Sequence, residues 1–264
     1  MKRALLALAL SVALLFTAAC STRTEGPSGN DENGGNKPAQ TAYQLLSAAN
    51  ASYQEAESYA MTFVMDMDYK QNGESMMTQG MTGDIKVAVE GDDVKLALTS
   101  STSMGDIEAM ALSAYYLDGY YYMEMLGQKM KMAMPVEAAM EQSMAMDVQF
   151  AESLIKDQTV DGGKLTFTLD GSFLNDMLEE QLQGMFQQTG VEADISYGDV
   201  AYTANLGENG ELKDVAVTGG ASITAEGETM DLALDMTMTI EQIGGVTVEF
   251  PDDLDSYTET TLPS

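Results

Sequence analysis

Histidine is absent from all 264 positions, and cysteine occurs once, at Cys20. Without histidine there is no Ser–His–Asp triad, no Cys–His pair and no zinc centre built on imidazoles. A lone cysteine makes no intramolecular disulfide, so an exported domain must be stable through its core alone. Basic residues are scarce as well: 12 Lys+Arg stand against 42 Asp+Glu, for a formal net charge of −30. Nucleic-acid binding needs a basic footprint, and this chain has none. The same charge repels an anionic membrane surface. No P-loop, nucleophile elbow or dinucleotide fingerprint occurs. Carboxylates are so abundant that a given pair has no diagnostic value for acid–base hydrolysis. No catalytic residue and no cofactor is therefore assigned, and the chain is read as a protein other than an enzyme. Asp66 and Asp68, and Asp92 and Asp93, lack the spacing of a calcium loop; they read as a solvated strand face and an acidic turn, not as metal ligands.

What is present begins with an export signal. Lys2 and Arg3 precede an apolar stretch from Ala4 to Phe16, and Ala18 and Ala19 lead into Cys20. That stretch is short for a bilayer span and ends at a cleavage pattern. Residues 1–19 resemble a bacterial lipoprotein signal peptide, which makes Cys20 the lipid-modified first residue of the mature chain and its anchor in the cell membrane. The alternative is plain secretion, with Cys20 an incidental thiol. Residues 20–40 are the lipidated cysteine and a flexible linker rich in Gly, Asn, Ser and Pro, with an r.m.s. span of roughly 25 Å. Residues 41–264 are expected to form one domain.

Periodicity places the elements of that domain. Tyr43, Leu46, Ala49 (or Asn50) and Tyr53 recur at helical spacing over residues 41–57. Tyr59, Met61, Phe63, Met65, Met67 and Tyr69 then alternate, up to a hairpin signal at Asn72-Gly73. In that first hairpin Phe63 would face Thr82, so a bulge or face switch is expected near Gly80 or Gly83. A turn at Gly91-Asp92 sets Val89 opposite Val94, Val87 opposite Leu96 and Ile85 opposite Leu98. A turn at Asp118-Gly119 sets Tyr116 opposite Tyr121, Ala114 opposite Met123 and Leu112 opposite Met125. Residues 136–157, with Met140, Met144, Phe150, Leu154 and Ile155, read as a helical or lid-like segment. A strand is expected at 164–169, then a helix capped by Ser172 and bearing Phe173, Met177, Leu178, Leu182, Met185 and Phe186. Further strands are expected at 195–206, 212–218, 221–225, 231–240 and 246–250. The fold class is α+β and mainly β: a curved antiparallel sheet, an open half-barrel, covering a few helices on its concave face.

Methionine is the anomaly, at 22 residues. In the stretch 120–134 it occupies alternate positions. A two-residue turn at Gly127-Gln128 sets Met125 opposite Met130, Met123 opposite Met132 and Tyr121 opposite Met134, with Glu124 across from Lys131 on the other face. Leu112, Tyr116, Tyr121, Met123, Met125, Met130, Met132 and Met134 then pave one face. Three readings of this face stand side by side: plain core beneath helices, an apolar surface for an amphiphile, or a thioether site for Cu(I) or Ag(I). Against a metal, the methionines are spread along the chain, in phase with Leu, Val and Tyr, and no histidine strengthens a site.

The text "YYLDGYYYMEMLGQKMKMAM" and the closing "VTVEFPDDLDSY" resemble an uncharacterised family of Gram-positive surface lipoproteins, and the layout resembles the LolA/LppX superfamily. The resemblance implies a hydrophobic cavity between sheet and helices. The expected function is that of an extracytoplasmic, membrane-anchored lipoprotein that binds or carries a lipid, glycolipid or other amphiphile. Phe173, Met177, Leu178 and Phe186 would face the methionine surface. A metal-binding protein and a structural surface module without ligand are the alternatives.

Overall fold

The computed structural model describes residues 40–260 except 92, 106, 137, 139–149, 173–192 and 226. Cys20 and the signal segment lie outside the described residues, as do Met140, Met144, Phe173, Met177, Leu178, Leu182, Met185 and Phe186.

The chain enters through helix α1, Ala42–Gln54. Thr41 and Gln44 close a reciprocal capping box: the Gln44 N–H donates to Thr41 Oγ1 at 3.2 Å and the Thr41 N–H to Gln44 Oε1 at 3.1 Å. Ala42, Leu46 and Ala49 are its buried positions. The helix stops three residues short of the expected end because Glu57, just before β1, is already tied to the sheet, its carbonyl accepting the Val89 N–H at 2.7 Å.

Among the described residues, thirteen strands make one sheet that does not close on itself: β1 (Ser58–Gln71), β2 (Glu74–Glu90), β3 (Asp93–Met104), β4 (Ile107–Leu117), β5 (Tyr120–Met125), β6 (Gln128–Ala133), β7 (Ile155–Asp161), β8 (Lys164–Leu169), β9 (Ala193–Tyr197), β10 (Val200–Leu206), β11 (Leu212–Ala225), β12 (Glu228–Ile243) and β13 (Thr258–Glu259). Their order is β13-β6-β5-β4-β3-β2-β1-β12-β11-β10-β8-β7, with β9 also on β11. All pairings are antiparallel except that of β13 with β6.

One face of this sheet is the core. All six alternating residues of β1, from Tyr59 to Tyr69, are buried on it. The hairpins over 85–98 and 112–125 have the expected register. The first hairpin differs: Phe63 faces Gly83, because the bulge lies near the turn, where Met76 is the extra residue between the Lys70–Ser75 and Tyr69–Met77 pairs. That single extra residue puts Met77, Gln79, Met81, Gly83 and Ile85 on the same face as β1's buried row. Gly83 then lies under the Phe63 ring, where a Cβ would come within 2.6 Å of ring carbons and 2.5 Å of the Thr99 carbonyl oxygen.

Four further expectations need correction. Residues 155–157 are not helical or lid-like but begin β7, which pairs with β8; Ile155-Lys156-Asp157-Gln158 is too polar to alternate because β7 is a sheet edge. The stretch 195–206 is two strands, broken at Gly198-Asp199, since β11 pairs with β10 up to Thr218 and with β9 from Ala221. Conversely, 212–225 is one strand running through Gly219-Gly220. Residues 246–250 are not a strand. They begin a strap across the outer face of the sheet: the Val246 N–H donates to Ser58 Oγ at 3.1 Å, and Phe250 meets Tyr115 edge-on at 6.2 Å. The strap continues to Tyr257, which packs edge-on against Tyr122 at 5.5 Å, and ends as β13 along the edge of β6.

Candidate functional site

The turn between β5 and β6 is Leu126-Gly127, both at positive φ (53° and 74°), as a type I′ turn requires. Met123 therefore faces Met130, Tyr121 faces Met132 and Met125 faces Gln128. The expected pairs Met125–Met130, Met123–Met132 and Tyr121–Met134 are each off by two positions. A slip of two leaves every side chain on its face, so the methionine surface survives while its contacts change. Glu124 lies opposite Lys129 instead of Lys131, which faces Tyr122. On that outer face Lys129 pairs with Glu124 at 3.6 Å and with Asp253 of the strap. The hydrogen bond between them holds the Asp253 carboxyl below its ordinary range and the Lys129 ammonium above its own.

The predicted inner surface is graded from buried to open. Tyr116 and Met134 are buried, and the Tyr116 hydroxyl donates to the Met134 carbonyl at 3.2 Å. Tyr121 and Met132 pack against the main core, while Leu112, Met123 and Met130 are half-buried and Met125 is 41 % exposed. Burial raises the Tyr121 hydroxyl's pKa, and it pushes that of Tyr69 up to about 12, so both stay neutral.

Cross-strand registers carry this surface into the rest of the sheet. Met236, Met65 and Met81 form one row across β12, β1 and β2, which continues through Thr102 to Met110 on β4. The adjacent row runs Met238, Phe63, Gly83, Ser100, Leu112 and Met125. Between Met230 and Ile240 on β12, Tyr59 and Tyr69 on β1, Met77 and Val89 on β2, and Val94 and Met104 on β3, no inner-facing side chain is charged.

One residue in this field is polar and deeply buried. Gln79 is 6 % exposed, and its Oε1 has no hydrogen-bond partner among the described residues. Met67 and Met104 lie directly across from it on the neighbouring strands, and Met77 and Met81 flank it two positions away on its own. An amide oxygen ringed by four methionines is costly, because a buried acceptor without a donor forfeits about 1–3 kcal/mol. Sequence reasoning passed over Gln79 because it reads as a polar residue between Thr78 and Gly80 in "MMTQGMTGD". Its period-two phase with Met77 and Met81 was the available signal.

At the other end of the sheet the inner face is closed by packing. Phe150, Phe167 and Tyr202 form a triangle of edge-on rings with centroids 5.1–5.7 Å apart, and Tyr43 of α1 joins Phe150 at 6.1 Å. The Tyr43 N–H donates to Gln158 Oε1 of β7 at 3.0 Å. Among the described residues no group of three or more His, Cys, Asp or Glu gathers to hold a metal ion, and no helix is long and apolar enough to cross a membrane.

No protein-family model matches the chain, and no curated protein resembles it at a significant level. Among solved structures, it is similar to LprF from Mycobacterium bovis, at 13% identity and a TM-score of 0.40, over 80% of this chain and 96% of that one. It is also similar to a DUF1329 family protein from Desulfovibrio piger, at 10% identity and a TM-score of 0.27, over 78% and 93%. Likeness at this level assigns neither a family nor a ligand.

Proposed function

We propose that the chain is an extracytoplasmic lipoprotein, anchored through Cys20, that binds a lipid or other amphiphile against its methionine face. The observation that carries this reading is Gln79. A surface meant only as core has no use for a buried acceptor without a donor, whereas a ligand with a neutral hydroxyl or amide N–H supplies one. A soft metal would engage thioether sulfurs and leave the amide oxygen unsatisfied. Gln79 and Leu112 are separated by four residues' rise along the strands and two strands across, roughly 17 Å, the length scale of an acyl chain. Leu112, Tyr116, Tyr121, Met123, Met125, Met130, Met132 and Met134 would line the tail's path. Flexible thioethers suit a tail of loosely defined shape. The resemblance of the sequence to the LolA/LppX superfamily supports the same assignment.

Ten buried methylenes contribute about 8 kcal/mol gross, which corresponds to micromolar affinity. A fluorescent monoacylglycerol is accordingly expected to bind one per chain at micromolar Kd or tighter. Leu112→Gln combined with Met123→Gln is expected to weaken it at least tenfold. Absence of saturable binding, or binding indifferent to both substitutions, defeats the proposal.

A further inference from the structure

On an apolar face methionine differs from leucine in one chemical respect: its thioether can be oxidised. Exposure sorts the described methionines for that reaction. Met76, Met110 and Met125 are 55 %, 40 % and 41 % exposed, whereas Met65 and Met67 are 1 % exposed. Two of the exposed three stand on the methionine surface. Met110 is the outer end of the row that runs through Thr102, Met81 and Met65 to Met236. Met125 is the outer end of the row that runs through Leu112 to Phe63 and Met238. They are also neighbours, since Met125 pairs with Leu112 and Met110 precedes Leu112 by two on the same face. A water-borne oxidant therefore meets this surface first at Met110 and Met125. Met76 is at least as open but stands apart, as the unpaired extra residue of the β2 bulge, five positions from Met81. Oxidation adds an acceptor oxygen to each side chain, and an acyl tail has no donor to pair with it.

We propose that Met110 and Met125 are modification sites for a hydroperoxide, and that their oxidation switches the methionine face from holding an acyl chain to releasing it. This rests on the lipid-binding reading above. The step is a two-electron transfer. A sulfur lone pair attacks one peroxide oxygen, and the S–O bond forms as the O–O bond breaks. The other oxygen takes up the hydroperoxide's proton and leaves as water or an alcohol. The thioether is oxidised to the sulfoxide and the peroxide is reduced. An uncharged hydroperoxide also reaches a chain of net charge −30 without the repulsion that an anionic oxidant meets. Reversal consumes a dithiol through a sulfoxide reductase, and a chain whose one cysteine is Cys20 takes that reductant from outside.

The test treats the full chain with hydrogen peroxide, stops the reaction with catalase at intervals, and reads each sample twice. Peptide mass spectrometry locates the added oxygen, and the fluorescent monoacylglycerol reports affinity. Met110 and Met125 are expected to oxidise about tenfold faster than Met65 and Met67, and the probe's Kd to rise about fivefold in step with them. Methionine sulfoxide reductases with dithiothreitol are expected to restore the starting Kd. Met110→Leu combined with Met125→Leu is read against its own untreated Kd, which is expected to stay within about twofold after the same dose. Met76→Leu is expected to keep the full wild-type response. Equal oxidation rates at 110, 125, 65 and 67 overturn the switch, as does a rise in Kd that persists in the double variant, disappears in Met76→Leu, or resists the reductases. Tight binding that ignores oxidation of Met110 and Met125 defeats the switch alone. A wild-type chain that never binds the probe, before or after peroxide, defeats the lipid-binding reading and the switch with it.

Discussion

Replacing Phe167 with alanine is expected to remove about 3–5 kcal/mol of stability, a large share of the roughly 5–15 kcal/mol typical of a folded domain. Phe167 is 1 % exposed, and its ring meets Phe150 and Tyr202 edge-on at 5.2 and 5.7 Å. Truncation forfeits the transfer energy of the ring and two aromatic contacts of about 0.5–1.5 kcal/mol each, and leaves a cavity. It also loosens what the triangle joins: β8 and β10 through Phe167 and Tyr202, and α1 through Phe150 and Tyr43. With a urea m value of about 2–3 kcal/mol/M, the unfolding midpoint falls by roughly 1–2 M. Val160→Ala on edge strand β7, at a side chain 45 % exposed, serves as the control and is expected to change stability by less than about 0.5 kcal/mol. A Phe167→Ala loss under about 1 kcal/mol would show that the triangle is not packed in solution.

The second large effect has the opposite sign. Gln79→Met keeps the length of the side chain and removes the buried acceptor, so the ligand-free protein is expected to gain about 1–3 kcal/mol. In the complex the same substitution deletes the contact to the ligand's donor, and affinity is expected to fall about 5- to 100-fold. Thermal shifts read both effects at once, because a ligand that binds only the folded state raises stability by RT ln(1 + [L]/Kd). The variant's melting temperature should lie above the wild type's without ligand, and its ligand-induced rise should be smaller. A destabilised variant would mean that Gln79 is already satisfied, by an ordered water or another donor, and would remove the main argument for a polar ligand head. A further gain in affinity would point to a purely apolar ligand.

These two sites differ in how far sequence reveals them. Phe167 lies in "KLTFTL", where strict alternation between glycine-bounded ends announces a strand with one buried face, and all three apolar positions are buried. The 85–98 and 112–125 registers were readable for the same reason, since any odd slip would expose the whole apolar set. Where two registers share a face, that constraint is lost. The β5–β6 turn moved by two positions without disturbing the methionine surface, and lysines at both 129 and 131 gave Glu124 two acceptable partners. Alternation also reports burial of one face, not strand pairing. Val248 alternates and is buried, yet it belongs to the strap anchored at Ser58 and Tyr115. Edge strand β7 was hidden because an edge buries too little to pattern its residues. Gln79 could be placed on its face by phase, but the absence of a donor for its oxygen is a three-dimensional fact.

Native mass spectrometry of the protein purified without detergent, followed by solvent extraction of what it carries, tests the central claim most directly. The account predicts one amphiphile per chain, with an acyl tail and a neutral hydrogen-bond donor in its head, and a lower occupancy of that species on the Gln79→Met protein. A chain that is ligand-free as isolated, and stays so after incubation with lipid vesicles, would contradict it.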